Sequence, residues 1–285
     1  MEKLCDLHTH STYSDGTLTP AQLIALAEEK GLSAIVLSDH NTVAGLPEFL
    51  AAAEASSVEA VPAVEFSTEY CGMELHILGL FVQNIHYEAI NNLLQQFLDR
   101  KEQSNIDLVG RLQKAGLDID YETIKSKAAG SINRARIAAE MVEKGYCESV
   151  KQAFSDWLSP KRGYYIPPVR PDAYETIRFI KSLGAVAVLA HPFLSMKEES
   201  LLAFLPEAVA AGLDGMEVYY STYDAETTSR AREIAAQYAL LESGGSDFHG
   251  LNKPDIDMGV GKGNLSISLD LLEKLKIKRK HFGVW

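Results

Sequence analysis

The chain has 285 residues and carries 27 lysines and arginines against 39 aspartates and glutamates, a formal net charge of −12. That balance argues against a surface that grips long nucleic acid through counterion release, but a small anionic substrate held by local positive charge is still allowed. The 46% of hydrophobic residues can bury a substantial core, and no run approaches the roughly 18 apolar residues of a membrane span. Cys5, Cys71 and Cys147 form no C-x-x-C, so neither a disulfide framework nor a thiolate metal site is expected, and all three read as small packing residues.

The apolar run Lys3 to Leu7 predicts a buried strand that leads into His8 and His10. Alternate strand residues share a face, so the two imidazoles point the same way. A signal peptide has no room before His8, and the expected location is the cytoplasm. Asp15-Gly16 then turns the chain, and Thr19-Pro20 opens a helix over Ala21–Glu29. Ser33–Ser38 reads as a buried strand ending in Asp39-His40-Asn41, followed by a helix over Leu46–Ala55. Glu59–Val64 is a strand ending at Glu65, and Met73–Leu80 is another, with His76 inside it.

From His86 to Pro168 the pattern changes to helices over Tyr87–Ala115, Tyr121–Ala129, Ala135–Lys144 and Ser149–Leu158. This stretch, 86–168, is expected to be a helical insertion in a barrel formed by 1–85 and 169–285. Beyond it, Ala185–Ala190 ends in His191-Pro192, and Gly215–Tyr219 precedes a helix over Ala225–Tyr238. Leu240–Gly245 leads into Ser246-Asp247-Phe248-His249, and the basic Lys274–Lys280 reads as a solvated tail or helix end. Strand and helix alternate, which implies an α/β fold with a parallel sheet, long enough to close into a barrel.

The chemistry collects at the strand ends, where α/β barrels build their active sites. His8, His10, His40, Glu65, His191, Asp247 and His249 all fall there, with Asp15 on the first loop and His76 in a strand. Six of the eight histidines are used in this way, and His86 and His281 read as ordinary surface residues. Imidazole and carboxylate without thiolate suit Zn²⁺, Mn²⁺ or Fe²⁺.

The motifs Asp6-Leu7-His8-Thr9-His10-Ser11, Ser38-Asp39-His40-Asn41, Glu65, His76, Ala190-His191-Pro192 and Ser246-Asp247-Phe248-His249 resemble those of the PHP (polymerase and histidinol phosphatase) domain. The resemblance implies a distorted (β/α)₇ barrel with three divalent metal ions. It implies that His8, His10, Glu65 and Asp247 bind one ion. Glu65 would bridge to a second, held also by His76 and His191. Asp15, His40 and His249 would bind the third. Glu65, Asp247 and His191 are expected to carry catalysis. Three divalent ions against three carboxylates leave the site at about +3, which favours a phosphate, with a metal-activated water as nucleophile.

Within the insertion, Gly130-Ser131-Ile132-Asn133-Arg134-Ala135-Arg136 and Phe154–Pro167 resemble a stand-alone PHP subgroup acting on nucleotides and short RNA ends. Arg136 takes a place where histidine is common. Arg134, Arg136, Lys161 and Arg162 are the candidate phosphate-binding residues, since guanidinium forks bind phosphate bidentately, and Tyr164 is a candidate for base stacking. Glu217 and Tyr219 end a strand and either line the pocket or pack behind it. The expected function is hydrolysis of a nucleotide phosphate ester, as in a 3′,5′-bisphosphate 3′-phosphatase or a 5′-3′ trimming enzyme for short oligoribonucleotides. The alternatives are a histidinol phosphate phosphatase and a non-catalytic assembly module.

Overall fold

Seven strands make one sheet: β1 (Cys5–Thr9), β2 (Ala34–Leu37), β3 (Glu59–Tyr70), β4 (Met73–Leu80), β5 (Val186–Leu189), β6 (Gly215–Tyr220) and β7 (Leu241–Gly245), neighbouring one another in chain order. They are seen in a computed structural model that describes residues 3–127 and 132–280. Gly130, Ser131 and His281, which figure in the sequence reading, lie outside the described residues, as does the end of the helix expected to reach Ala129. β2 (AIVL) and β5 (VAVL) are short, apolar and buried throughout, as expected for strands covered on both faces.

The sheet is not wholly parallel, contrary to expectation. β4 runs antiparallel to both β3 and β5, while the other pairs are parallel. The cause is local. Cys71 and Gly72, with φ of 48° and 75°, form a two-residue turn that pairs Tyr70 with Met73. Positive φ at both turn positions matches the twist of a hairpin and forces the chain straight back. Two readings change with it. β3 runs on five residues past Glu65, to Tyr70, and Cys71 is exposed at the turn rather than packed in the core. The reversal also explains His76. The beginning of β4 arrives at the end of the barrel where the parallel strands finish.

β7 returns to β1 and nearly closes the barrel. Asp247 N–H donates to the His8 carbonyl at 2.9 Å, and His10 N–H to that of Phe248 at 3.0 Å. A Cβ on Gly245 would stand 2.3 Å from the Cβ of His8, so only glycine lets the two strands approach. The barrel core includes Leu7, Val36, Val61, Ala63, Leu78, Leu80, Val186 and Val188, joined by Leu271, Leu272 and Leu275 of the helix Leu269–Lys280. The basic C-terminal stretch is thus the polar side of a packed helix, not a free tail. Val61 and Ala63 are in phase with Glu65, and Leu80 and Leu78 with His76. The polar cluster therefore continues the barrel's apolar interior at one end.

Helices Ala173–Ser182 and Glu198–Ala211 flank β5 in sequence and add to those expected. No helix among the described residues is long and apolar enough to cross a membrane.

The chain divides into two units, Met1–Asn91 with Arg170–Trp285, and Asn92–Val169. The second unit is built on the latter part of helix Tyr87–Lys114 with helices Tyr121–Ser126 and Arg134–Glu143. It has its own apolar cluster, including Leu108, Leu112, Ile137, Ala138, Met141 and Leu158. Asp120 and Asn133 cap the two shorter helices by accepting from the N–H groups of Thr123 and Arg136.

Candidate metal centre

Nine residues converge on one end of the barrel, in overlapping groups whose ligand atoms lie within 4.8 Å of one another. They are His8, His10, Asp15, His40, Glu65, His76, His191, Asp247 and His249. Glu65 sits at the centre, fully buried. Its Oε1 is 2.9 Å from His76 Nδ1 and 3.1 Å from His191 Nε2. Its Oε2 is 3.4 Å from His8 Nε2, 3.3 Å from His10 Nε2 and 2.9 Å from His40 Nδ1. Asp247 Oδ1 lies 3.2 Å from His10 Nε2 and 3.7 Å from His8 Nε2. On the far side of His10, Asp15 Oδ1 is 3.2 Å from His249 Nε2 and 3.9 Å from His40 Nε2.

The donor set fits divalent cations on three counts. Asp15 Oδ1, His40 Nδ1, Glu65 Oε2 and His76 Nδ1 are buried without a hydrogen-bond partner. His40 Nδ1 and Glu65 Oε2 stand 2.9 Å apart without hydrogen-bond geometry. Second, His8 Nε2 and His10 Nε2 face each other at 3.0 Å, a repulsive contact between two lone pairs unless a proton or cation intervenes. Third, ligand atoms about 2.1 Å from a tetrahedral ion stand roughly 3.4 Å apart, the spacing found here.

The electrostatics are those of a tightly coupled group. Burial works to raise the Glu65 carboxyl, yet His40, His76 and His8 hold it well below the usual carboxylate range. Asp247 is likewise held down by His8, His10 and Lys253 against its burial. Burial, reinforced by His249 and His40, pushes His10 well below the ordinary imidazole value, so it is neutral, as a ligand must be. Burial lowers His76 less than Glu65 and Glu74 raise it, to about 10.

Backbone strain gathers here too. His191 (φ 28°), Asp247 (φ 57°) and Asn41 (φ 52°), the last beside His40, occupy the left-handed region. Non-glycine residues hold such angles only where the surroundings over-determine them.

The PHP domain signature matches residues 6–166. Similar chains include a 5′-3′ exoribonuclease of Haemophilus influenzae, 33% identical over 87% of this chain and 91% of its own. A phosphoribosyl 1,2-cyclic phosphate 1,2-diphosphodiesterase of Eggerthella lenta is 29% identical over 86% and 94%. A 3′,5′-nucleoside bisphosphate phosphatase of Chromobacterium violaceum is 26% identical over 89% and 90%. Among solved structures, one described as a metal-dependent phosphoesterase of Bifidobacterium adolescentis superposes with a TM-score of 0.83, at 29% identity over 97% of this chain and 96% of its own.

The chain belongs to the PHP domain family.

Around the nine residues, this PHP domain places supports that sequence reading weighed only in part. Glu217, left open between lining and packing, is buried behind the cluster. Its Oε1 is 2.8 Å from His8 Nδ1 and its Oε2 accepts the His191 N–H at 2.6 Å. Tyr219 points elsewhere, donating to Glu242 at 2.7 Å. The strand's irregular register between Glu217 and Tyr219 separates the two. Sequence reading missed three further residues. Tyr220 and Lys253 both donate to Asp247 Oδ2 at 2.6 Å. Arg170, 2.7 Å from Glu74, stands behind a carboxylate that lies 3.5 Å from His76 Nε2. No local motif marks any of them, since each is recognisable only by what it touches.

The four candidate phosphate binders lie in the second unit of this PHP domain. The Arg134 guanidinium is 4.2 Å above the Tyr165 ring and 5.4 Å from that of Phe154, and it donates to the Leu158 carbonyl at 3.4 Å. Arg136 is half-buried at the start of its helix, Lys161 is exposed, and Arg162 donates to the Ser155 carbonyl at 2.7 Å. Tyr164 packs on Trp157, ring centres 5.4 Å apart.

Proposed function

We propose that the chain hydrolyses a phosphate ester borne on a ribose, in a nucleotide bisphosphate or at the end of a short RNA, and that its nine clustered residues hold three divalent ions for the purpose. The chain is a metal-dependent phosphoesterase of the PHP family. The three relatives named above differ in the bond they cut, but each name contains a ribonucleic acid, a nucleoside or a phosphoribosyl group. A phosphorylated ribose is their common element, and that supports the substrate class.

The observation that carries the metal reading is the sharing of Glu65. Its two oxygens serve different nitrogens, Oε1 those of His76 and His191, Oε2 those of His8, His10 and His40. A carboxylate so divided would hold two cations between its oxygens, and Asp15, His40 and His249 would hold a third. When bound, such ions supply Lewis acidity toward phosphoryl oxygens and lower the pKa of a water. Glu65 and Asp247 contribute fixed negative charge that keeps cations together against their repulsion. His10 contributes a neutral nitrogen. Glu217 fixes His8 with Nδ1 turned away from the cluster and Nε2 turned toward it, as outer carboxylates do for metal-bound imidazoles. The apolar barrel interior beneath keeps bulk water from the buried face.

The test is elemental analysis of gently purified protein coupled to a phosphate-release screen. The panel holds 3′,5′-bisphosphates, 5′-phosphorylated short RNAs, cyclic ribose phosphates and p-nitrophenyl phosphate. Turnover restricted to ribose phosphates, with more than two ions per chain, is the expected result. Preference for a phosphate ester without ribose would overturn the substrate class, and two ions or fewer after reconstitution would overturn the metal count.

A further inference from the structure

We propose that Lys253 is a substrate-binding residue, its ammonium holding a phosphoryl oxygen of the ester beside the metal centre. This deepens the reading above and rests on it, since it takes the anion at this centre to be a phosphate ester.

The two oxygens of Asp247 divide their work. Oδ1 faces the imidazoles of His10 and His8. Oδ2 faces away and accepts from the Lys253 ammonium and the Tyr220 hydroxyl, both at 2.6 Å. The Tyr220 hydroxyl donates to Oδ2 independently of the lysine. It already satisfies Oδ2. The lysine is therefore not required to keep that oxygen from being a buried orphan, and a single ion pair of a partly exposed lysine contributes little to stability. An ammonium has three donors, and Asp247 takes one.

Exposure separates the two partners. The Asp247 side chain is 5% exposed and that of Lys253 36%. The ammonium thus connects a buried candidate ligand with solvent. Among the described residues, Lys253 is also the one lysine or arginine ion-paired with any of the nine clustered residues. Placing a positive charge beside a group that gathers divalent cations costs repulsion. An anion bound between them offsets it, and a phosphate ester is such an anion.

The lysine is held in position by its loop. Its own N–H donates to the Gly250 carbonyl at 3.1 Å, closing a turn. That turn is tied to the loop carrying Asp15. Leu251 N–H donates to Thr17 Oγ1 at 3.0 Å, and the Asn252 amide donates to the Asp15 carbonyl at 2.7 Å. Asp15 and Lys253 therefore sit on mutually fastened loops, which pre-pays much of the ordering a flexible lysine would otherwise lose on binding.

The experiment uses the full chain, loaded with metal, and orthophosphate as the probe. Lys253→Met keeps the length of the stem and removes the charge. Lys253→Arg keeps the charge. Calorimetric titration with orthophosphate is read beside elemental analysis of each variant. A charged hydrogen bond corresponds to about 10- to 150-fold in affinity. We expect Lys253→Met to keep its metal, to bind orthophosphate weaker by that factor, and to lose kcat/KM on ribose phosphates to a similar extent. Lys253→Arg should recover most of both. Unchanged orthophosphate affinity in Lys253→Met would overturn the proposal. So would loss of metal in step with loss of phosphate, which would make Lys253 a positioning residue acting through Asp247. The titration needs no turnover, so a chain that binds orthophosphate through Lys253 but cuts no phosphate ester would count against the phosphoesterase reading alone.

Discussion

The Glu217 carboxylate stands 2.8 Å from Nδ1 of His8 and takes the backbone N–H of His191 with its other oxygen. One buried side chain on β6 thus sets the ring orientation of a residue on β1 and the position of a strained residue after β5. The cluster is held from behind by a group that need not touch a metal.

Glu217→Gln should therefore weaken metal binding before it weakens the fold. The amide can still accept one hydrogen bond but cannot orient His8 as a carboxylate does. Loss of such an outer partner typically costs 10- to 100-fold in metal affinity. Chelator competition on purified protein reads this directly. An unchanged dissociation constant would show that Glu217 only fills space.

Glu65→Gln removes one shared oxygen from the centre of the cluster. Activity should fall by several orders of magnitude, and at least one ion should be missing by elemental analysis, while the far-ultraviolet circular dichroism stays that of the parent. The bridging role would be refuted by wild-type turnover in a variant that melts normally.

Gly245→Ala tests the closure of the barrel. Its new Cβ would fall 2.3 Å from the Cβ of His8, so β7 must move away from β1. We expect a loss of about 1–3 kcal/mol, the usual cost of overpacking, read from the midpoint of urea unfolding. Metal affinity should fall with it, because Asp247 follows on the same strand end.

Removing the ions should destabilise the intact protein. Any ligand bound only by the folded chain stabilises it by mass action, about 2.7 kcal/mol at a hundredfold excess over its dissociation constant. Treatment with a chelator should lower the melting temperature, and adding back Mn²⁺ or Zn²⁺ should restore it. A melting curve indifferent to chelation would mean the ions are not held in the folded state.

Arg134 bears on substrate choice, and we propose that it holds a phosphate that does not react. Arg134→Lys is the informative variant, since alanine would also abandon the stacking on Tyr165 and Phe154. Lysine keeps the charge but loses the fork. We expect a loss of about 10-fold in kcat/KM on a nucleotide bisphosphate or 5′-phosphorylated RNA and little change on p-nitrophenyl phosphate. Equal losses on both would assign Arg134 to the fold of its own unit.

Much of this protein is legible in its sequence because its chemistry is tied to local pattern. Short apolar runs that end in histidine or carboxylate are enough to locate the barrel and seven of the nine clustered residues, and the resemblance to the PHP domain adds Asp15 and His76. Each of those seven positions depends on one strand and the loop after it, whereas His76 reaches the cluster only because β4 reverses. The direction of β4 does not show in its own composition. It is dictated by the positive φ of Cys71 and Gly72, and with it came the wrong expectations of a wholly parallel sheet and a packed Cys71. The support residues were hidden for a different reason. Glu217 serves His8 and His191 from 209 and 26 positions away in the chain. Tyr220 meets Asp247 across 27, and Arg170 meets Glu74 across 96. A ligand announces itself by its residue type at a strand end. A residue that orients a ligand is defined only by contact, and contact between distant segments is what the tertiary fold creates.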